Sequence, residues 1–310
     1  MRESLEKAGT PPRWQLAMAF AAVYIIWGST YLGIRLAVES IPPFSMAGAR
    51  ALVAGALLYV WARGRGAVRP EVIHWREAAI VGGFLLLGGN GLVSWAEQHV
   101  PSGVSALIVG SVPLWMVVLE WLWHSGPRPT VGIVFGLIVG FAGLGFLVAP
   151  GSLGDGARIN FSGAIALLLA AFLWAIGSLY SRRAQLPSSQ LLGAAMEMIA
   201  GGALLLVAGA ALGEWKHFEF ARVTMHSAVA WVYLSIVGSL IGFTAYVWLL
   251  KATTAARAST YAYVNPVVAV FLGWALAGEP ITPRTMLAAL AIIIAVVIIV
   301  TRSKEVPAET

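Results

Sequence analysis

The sequence of 310 residues contains no cysteine and few histidines. Without cysteine the chain can have no disulfide framework, no thiolate metal site and no cysteine nucleophile. The five histidines lie at the ends of apolar stretches or between them, and none pairs at the spacing of metal ligands. We therefore expect no metal site and no cofactor.

Charge is also sparse. Charged residues make up 11% of the chain and hydrophobic residues 59%, which indicates an integral membrane protein instead of a soluble one. The net charge of +6 is scattered over short connections and forms no single basic face, so we expect no nucleic-acid partner. No paired acids and no serine–histidine set lie at membrane depth. We therefore do not expect an enzyme.

Two glycine patterns have structural explanations. The glycine-rich string 82–90 lacks the strand–turn–helix context and the lysine of a phosphate loop, so we attribute it to helix packing. Gly132, Gly136 and Gly140 recur every four residues and predict a smooth helix face for a close neighbour, although any glycine-tolerant membrane helix can show this pattern. The oligomeric state stays open.

Ten apolar stretches approach the ~20 residues that a helix needs to cross a bilayer. Only short polar connections separate them. The sequence therefore predicts an all-α integral membrane fold with ten transmembrane helices. The predicted spans are 14–34, 44–62, 77–98, 101–123, 130–149, 161–181, 189–212, 226–250, 255–278 and 283–301.

The two halves of the chain share one pattern. Residues 111–114 contain Pro113 and correspond to residues 264–267, which contain Pro266, at a shift of 153. Earlier residues correspond at a shift of 147, so the second half gains six residues, which we place near 214–224. The other matches are Trp95 with Trp248 and Pro127 with Pro280 at 153, and Trp27 with Trp174 and Arg35 with Arg182 at 147. This pattern predicts two repeats.

Lysine and arginine are distributed unevenly over alternate connections. With the N-terminus inside, fourteen of them face the cytoplasm and five the other side, while Arg50 lies within a span. Because positive residues mark the cytoplasmic side, we expect a multi-pass protein of the inner (plasma) membrane with both termini inside. Each repeat has an odd number of helices, so the repeats must be inverted. Their predicted limits are 14–149 and 161–301, with cytoplasmic tails at 1–13 and 302–310.

Several polar and aromatic residues lie at mid-membrane depth. Pro113 and Pro266 each interrupt a predicted helix, which membranes tolerate where neighbours or water satisfy the freed carbonyl. We expect both prolines to act as helix hinges facing a polar cavity between the repeats. Interhelical hydrogen bonds without a ligand, or plain core packing, would explain the same residues. The predicted cavity-lining residues are Trp27, Asn90, Trp115, Trp174, Tyr263 and Asn265.

Such a cavity would suit small, partly apolar solutes or organic cations, which aromatic walls bind by stacking and cation–π contact. Glu197 is the only acid well inside a predicted span, about nine residues or ~13 Å from the cytoplasmic end. Arg50 corresponds to it in the repeat, so we expect the two to pair. The pair is then a structural link between the halves, or Glu197 serves proton coupling.

The sequence resembles the ten-helix transporters of the EamA group in the drug/metabolite transporter superfamily, and most of all the YedA-type inner-membrane exporters. The resemblance covers nearly the whole chain, and its strongest strings are residues 24–31 (YIIWGSTY), 97–103 (EQHVPSG) and 259–270 (STYAYVNPVVAV). It implies two inverted five-helix repeats, with substrate handled between helices 1–4 and 6–9 and helices 5 and 10 peripheral. Trp27 and Tyr263 carry over as motif positions.

Better-known members of this family export amino acids, notably aromatic ones, or small toxic compounds. The resemblance therefore implies a secondary exporter of small metabolites or drugs that works by alternating access. A membrane sensor or scaffold without transport activity is the alternative, although the chain shows no soluble domain that would support it. The expected partners are a small-molecule substrate and the lipid bilayer.

Overall fold

The computed structural model describes residues 12–123, 130–148, 160–216, 218–253 and 260–302. These residues form ten long helices and no strand, as the sequence predicts. The helices are α1 (Arg13–Ala37), α2 (Pro43–Gly64), α3 (Val72–Ala96), α4 (Ser102–Val109 and Val112–Trp123), α5 (Val131–Val148), α6 (Phe161–Ser181), α7 (Gln190–Ala211), α8 (Met225–Tyr233, Leu234–Phe243 and Thr244–Ala252), α9 (Tyr261–Ala277) and α10 (Pro283–Arg302).

Length and composition suit these helices to a membrane. Seven of them are long and apolar enough to cross it, and α5, α9 and α10 contain shorter apolar helices. Large apolar side chains such as Val60, Phe135 and Phe271 face outward, with 71%, 58% and 58% of their surface exposed. Because each helix satisfies its own backbone hydrogen bonds, this apolar exterior is compatible with lipid.

Some helices begin at residues that differ from the predicted ones, because local hydrogen bonds at the helix end determine where the helix begins. The third helix begins at Val72, not near residue 77, because Glu71 and His74 form a reciprocal capping box. Glu77 therefore lies inside α3 and is buried, with the hydroxyl of Tyr180 donating to it at 2.7 Å. The expectation that Glu197 is the only acid inside a span was wrong for this reason. The six extra residues of the second half fall in the connection between α7 and α8, which contains short 3₁₀ turns.

Helices of the two halves pack in pairs across the molecule. α2 lies along α7, α5 along α10, and α4 packs with α9, while α1 packs with α8 and α9. A Cβ atom at Gly48 would lie 2.9 Å from the carbonyl oxygen of Gly202, so α2 and α7 approach as closely as glycine allows. Gly136 packs against Ile299 and Ala295 of α10, and Gly140 packs against Leu114 of α4 and Ala295 of α10, so two of the three glycines predicted to form a face of α5 lie in close contacts.

Two glutamates from the second half cap helices of the first. Glu214, after α7, accepts hydrogen bonds from the backbone N–H groups of Phe44 and Ser45 at 2.9 and 2.8 Å. Glu279, after α9, accepts two bonds from the first residues of α4 at 2.8 and 3.1 Å. A glycine with positive φ, 80° or 65°, precedes each glutamate. Both caps place a carboxylate at a helix N-terminus, where free N–H groups favour it.

Candidate functional site

Three helices contain a π-helical stretch in the middle of the molecule. Residues Ala22–Trp27 of α1, Gly83–Gly91 of α3 and Leu234–Phe243 of α8 form π-helical turns. Such turns are uncommon and frequently occur at functional sites. The stretches in α3 and α8 correspond in the repeat. Residues from all three stretches line one cavity, so the glycine-rich string of α3 both packs closely and borders this cavity.

The cavity lies between the two halves. It has a volume of about 80 Å³, and every helix except α5 and α10 contributes to its described lining. A water molecule needs roughly 10–15 Å³ of such space, so the cavity has room for several waters or a small polar group. Among the residues predicted to line it, Trp27, Asn90, Trp174 and Asn265 do so, together with Arg50 and Tyr261.

Four aromatic residues, Trp27, Trp174, Tyr246 and Tyr261, pack against one another at one end of the cavity, and we call them the aromatic floor. Trp27 lies at their centre, with ring centroids 5.6 Å from Trp174, 4.7 Å from Tyr246 and 5.3 Å from Tyr261. Tyr261 begins α9 and Tyr246 lies near the end of α8, so the floor is closer to the face at which α1 begins.

Each tryptophan of the floor packs onto a glycine of the opposite repeat. A Cβ atom at Gly89 in α3 would lie 2.6 Å from Cε3 of Trp174, and one at Gly242 in α8 would lie 2.7 Å from Nε1 of Trp27. Gly89 and Gly242 correspond at the shift of 153, as the two tryptophans do at 147. The two tryptophan–glycine contacts of the floor therefore follow the inverted repeat, whereas Tyr246 and Tyr261 correspond to Val93 and Ile108.

The other side of the cavity is polar. Arg50 of α2 donates a hydrogen bond from Nη2 to Oδ1 of Asn90 in α3, and we call these two residues the polar wall. Only 4% of the surface of Arg50 is exposed. Asn265 of α9 donates its amide to the carbonyls of Tyr24 and Tyr261 at 3.1 and 3.3 Å, in the orientation that satisfies both groups.

One of the predicted lining residues, Trp115, lies away from the cavity. Trp115 is at the expected depth but packs between Phe141 of α5 and Phe172 of α6, with ring centroids 5.0 and 5.2 Å away, and does not line the cavity. In a helix as uniformly apolar as α4, the sequence pattern cannot show which face turns inward. The side chain of Tyr263 lies outside the described part of the structure.

The two prolines are not equivalent. Pro266 lies inside α9 and leaves the carbonyl of Ala262 without its helical partner. Pro113 lies in the first turn of the second segment of α4, where a helix has free N–H groups anyway, so it removes no internal bond. The interruption of α4 falls at Gly110 instead, and a Cβ atom there would lie 3.0 Å from the Ala262 oxygen. The two interruptions therefore face each other, and hinge motion at either stays a prediction.

The structure does not join Arg50 to Glu197, although they correspond in the repeat. The hydrogen bond that Arg50 makes goes to Asn90 of α3 and not to Glu197. Each lies seven residues into its helix from opposite faces, so they differ by ~12 Å in depth, and Arg50 turns towards α3. Glu197 is buried in α7. A Cβ atom at Gly82 of α3 would lie 2.6 Å from the backbone carbonyl oxygen of Glu197, so the two helices are in close contact there.

Sequence reasoning missed Glu97, the residue directly after α3. It is fully buried and neither carboxyl oxygen has a hydrogen-bond partner in the described structure. Arg35 donates to its backbone carbonyl at 2.6 Å and not to its carboxyl group. Glu97 shares a face of α3 with Asn90, at a spacing of two helical turns. This spacing is the signal that could have revealed it.

Burial raises the pKa of the Glu97 carboxyl well above its ordinary value, and the negative charge of Glu279 adds to this rise. The positive charges of Arg35 and Arg50 oppose it. Glu97 lies just past the membrane-spanning part of α3, at the face opposite the aromatic floor.

A family model described as the EamA-like transporter family matches residues 14–149 and 161–301. The chain belongs to this family. Among curated proteins, the uncharacterized inner membrane transporter YedA of Escherichia coli (strain K12) is 41% identical over 287 residues, covering 92% of this chain and 90% of YedA. The likeness to YedA-type EamA transporters predicted from the motif strings is thereby confirmed. The protein is a membrane transporter of this family.

More distant comparisons extend this result. A probable terminal-alkyne amino-acid exporter of Streptantibioticus cattleyicolor is 25% identical, with 86% of this chain and 87% of that protein covered. One solved crystal structure matches with a TM-score of 0.66 at 20% identity, covering 94% of this chain and 99% of the solved chain. At that identity the structural match shows a shared fold and nothing about substrate.

Proposed function

We propose that this EamA-family protein is a secondary exporter that moves a small metabolite or drug-like solute through the cavity by alternating access. The cavity between the repeats carries this proposal, because residues of eight helices from both halves converge on it at mid-depth. The amino-acid exporter among the relatives supports amino acids or related compounds as the first substrates to test.

The geometry suggests how access could alternate. The aromatic floor closes the cavity towards one face, with Trp27 and Trp174 crossing between the repeats. Movement of the repeats, 14–149 and 161–301, would separate these rings and open that face. The facing interruptions at Gly110 and Pro266 are candidate points of bending, because α4 is interrupted between Val109 and Val112 and Pro266 removes one hydrogen bond inside α9.

The basic-residue bias supports a cytoplasmic location for both termini. The aromatic floor then lies on the cytoplasmic side, and Glu97 with the two glutamate caps lies on the outer side. We expect a cytoplasm-active reporter fused after Thr310 to be active, and a periplasm-active reporter at the same position to be silent. The opposite result would contradict this orientation.

Purified full-length protein should be screened by thermal shift against amino acids, nucleosides and cationic dyes, because a ligand of the folded state raises its apparent stability. Compounds that raise Tm should then be tested for flux in proteoliposomes. A protein that binds none of them, moves nothing and co-purifies with a partner would contradict the exporter and favour a sensor or scaffold.

Two tryptophans at similar depth provide a matched control. Trp174 lines the cavity and Trp115 does not. We expect Trp174→Phe to weaken ligand binding or flux by about fivefold, as loss of one good aromatic contact of ~1 kcal/mol would. Trp115→Phe should leave both within about twofold of wild type. Equal effects of the two substitutions would show that the cavity is not the transport site.

A further inference from the structure

Arg50 is a buried cation, and no carboxylate of the described residues forms an ion pair with it. Its one hydrogen bond within the described residues goes to the neutral amide of Asn90. A guanidinium has five N–H donors, so most of them are left for other acceptors. An uncompensated charge at this depth is destabilising, and ionisable groups inside membranes commonly belong to substrate or ion pathways.

The residues around Arg50 determine whether the cavity has a positive or a negative charge. Arg50 is the only charged side chain among the described residues that line it. Glu97 is the acid whose charge acts on Arg50 over distance, but it is not within ion-pair reach and does not line the cavity. A low-dielectric cavity with one positive charge attracts anions and repels organic cations.

The space beside Arg50 allows an acceptor to reach it. On α8, Gly238 has no side chain, and a Cβ atom there would lie 3.9 Å from Nη1 of Arg50. Gly238 lies in the π-helical stretch of α8 and itself lines the cavity. Gly238 therefore leaves no side chain between α8 and the guanidinium, and Arg50 itself lines the cavity.

Resting on the proposed transport function, we propose that the substrate carries a carboxylate, which Arg50 binds in the cavity while the apolar body of the substrate lies against the aromatic floor. A guanidinium matches a carboxylate geometrically, since two parallel N–H donors meet two oxygens. Asn90 holds the guanidinium in place from the other side. The substrate carboxylate completes the charge balance that the protein itself leaves open.

This proposal changes the expectation drawn from the sequence. Aromatic walls and amides alone would suit organic cations, but a cationic solute in this cavity would lie beside the positive charge of Arg50. An amino acid satisfies the requirement through its carboxylate, and so does an organic acid without an amine. A bare amine does not.

The test uses purified full-length protein and pairs of probes that differ in the carboxylate. Thermal shift is measured with propionate and propionamide, phenylacetate and phenylacetamide, and L-phenylalanine and L-phenylalaninamide. We expect a carboxylate to bind at least about tenfold more tightly than its amide. Arg50→Gln should abolish this preference, and Arg50→Lys should reduce it while keeping its sign.

Arg35→Gln is the matched control. Arg35 lies near the same face but does not line the cavity, so the carboxylate preference should persist. Arg50→Gln should also unfold at a temperature no lower than wild type, because it removes an uncompensated buried charge. A large fall in its Tm would show that Arg50 has a structural protein counter-ion and would overturn the proposal.

The remaining outcomes separate this proposal from the transport function. Equal binding of carboxylates and amides, or a preference that survives Arg50→Gln, would overturn the carboxylate assignment. If a nucleoside or cationic dye binds and is transported while no carboxylate binds, the transporter stands and the assignment fails. If no compound of either screen binds, both fail.

Discussion

The aromatic floor and the polar wall of the cavity differ in their relation to the repeat. Trp27 and Trp174 correspond in sequence, and the glycines on which they pack correspond as well. Arg50 and Asn90 have no such counterparts, since their equivalents are Glu197 and Phe243. The tryptophan–glycine contacts of the floor therefore follow the inverted symmetry, while the charged side chain among the described residues that line the cavity comes from the first half.

This difference has a physical basis. A gate that opens by relative movement of two inverted halves benefits from equivalent contacts on both sides, since each half then presents the same surface to the other. A bound solute has no two-fold symmetry, so its charged group needs a partner on one side only.

The largest effect should come from filling the glycine positions of the floor. Gly89→Ala and Gly242→Ala each place a methyl group within 3 Å of a tryptophan ring. We expect each to destabilise the protein by about 1–3 kcal/mol and to impair transport strongly, because a packed aromatic ring has little room to move. Thermal unfolding and proteoliposome flux would measure both effects.

Gly83→Ala is the control for this prediction, because a Cβ atom there meets only an ordinary contact at 3.7 Å in the same π-helical stretch. Its effect should be small. If Gly89→Ala and Gly242→Ala differ widely from each other, the floor does not work symmetrically, and the contrast with the polar wall would weaken.

The glutamate caps offer a second, smaller test. Glu279→Ala removes two hydrogen bonds at the start of α4, and Glu214→Ala removes the equivalent bonds at α2. Loss of an N-terminal cap costs about 0.5–2 kcal/mol. We expect each variant to lower Tm accordingly without changing ligand preference. The exposed Glu219→Ala, which removes a pair with Arg222 at the surface, should have almost no effect.

A change of ligand preference in Glu279→Ala or Glu214→Ala would show that these caps reach the polar wall. A shift of α2 or α4 after loss of its cap would then move Arg50, which lies in α2, or its partner Asn90 in α3. Unchanged preference with lowered stability would keep the caps as structural features that join the halves.

The sequence predicted the fold for identifiable reasons, since ten apolar stretches and a positional repeat define the helices. Repeat matching also selected Trp27 and Trp174, which lie at the cavity because these two residues follow the repeat. Depth along a helix can be counted from a sequence, but the direction of a side chain in a uniformly apolar helix cannot. Trp115 was misplaced for that reason, and Arg50 was paired with the wrong residue because the polar wall does not follow the repeat.

Glu97 gives the last and smallest expected effect. Because burial and Glu279 raise the pKa of its carboxyl, the folded state binds the proton more tightly than the unfolded chain does. The unfolded carboxyl ionises near pH 4.3, so stability should fall as the pH rises above that value, until the folded carboxyl also ionises. Glutamine imitates the neutral form.

Glu97→Gln should therefore unfold at a temperature similar to wild type in mild acid and at a higher one in alkali, with a flatter dependence on pH. Thermal unfolding of both proteins in detergent between about pH 5 and 9 would measure this. Glu219→Gln, at an exposed position, should follow wild type. If Glu97→Gln is instead less stable at high pH, the ionised carboxylate stabilises the fold, and the charge near the polar wall is balanced by the protein and not by the solute.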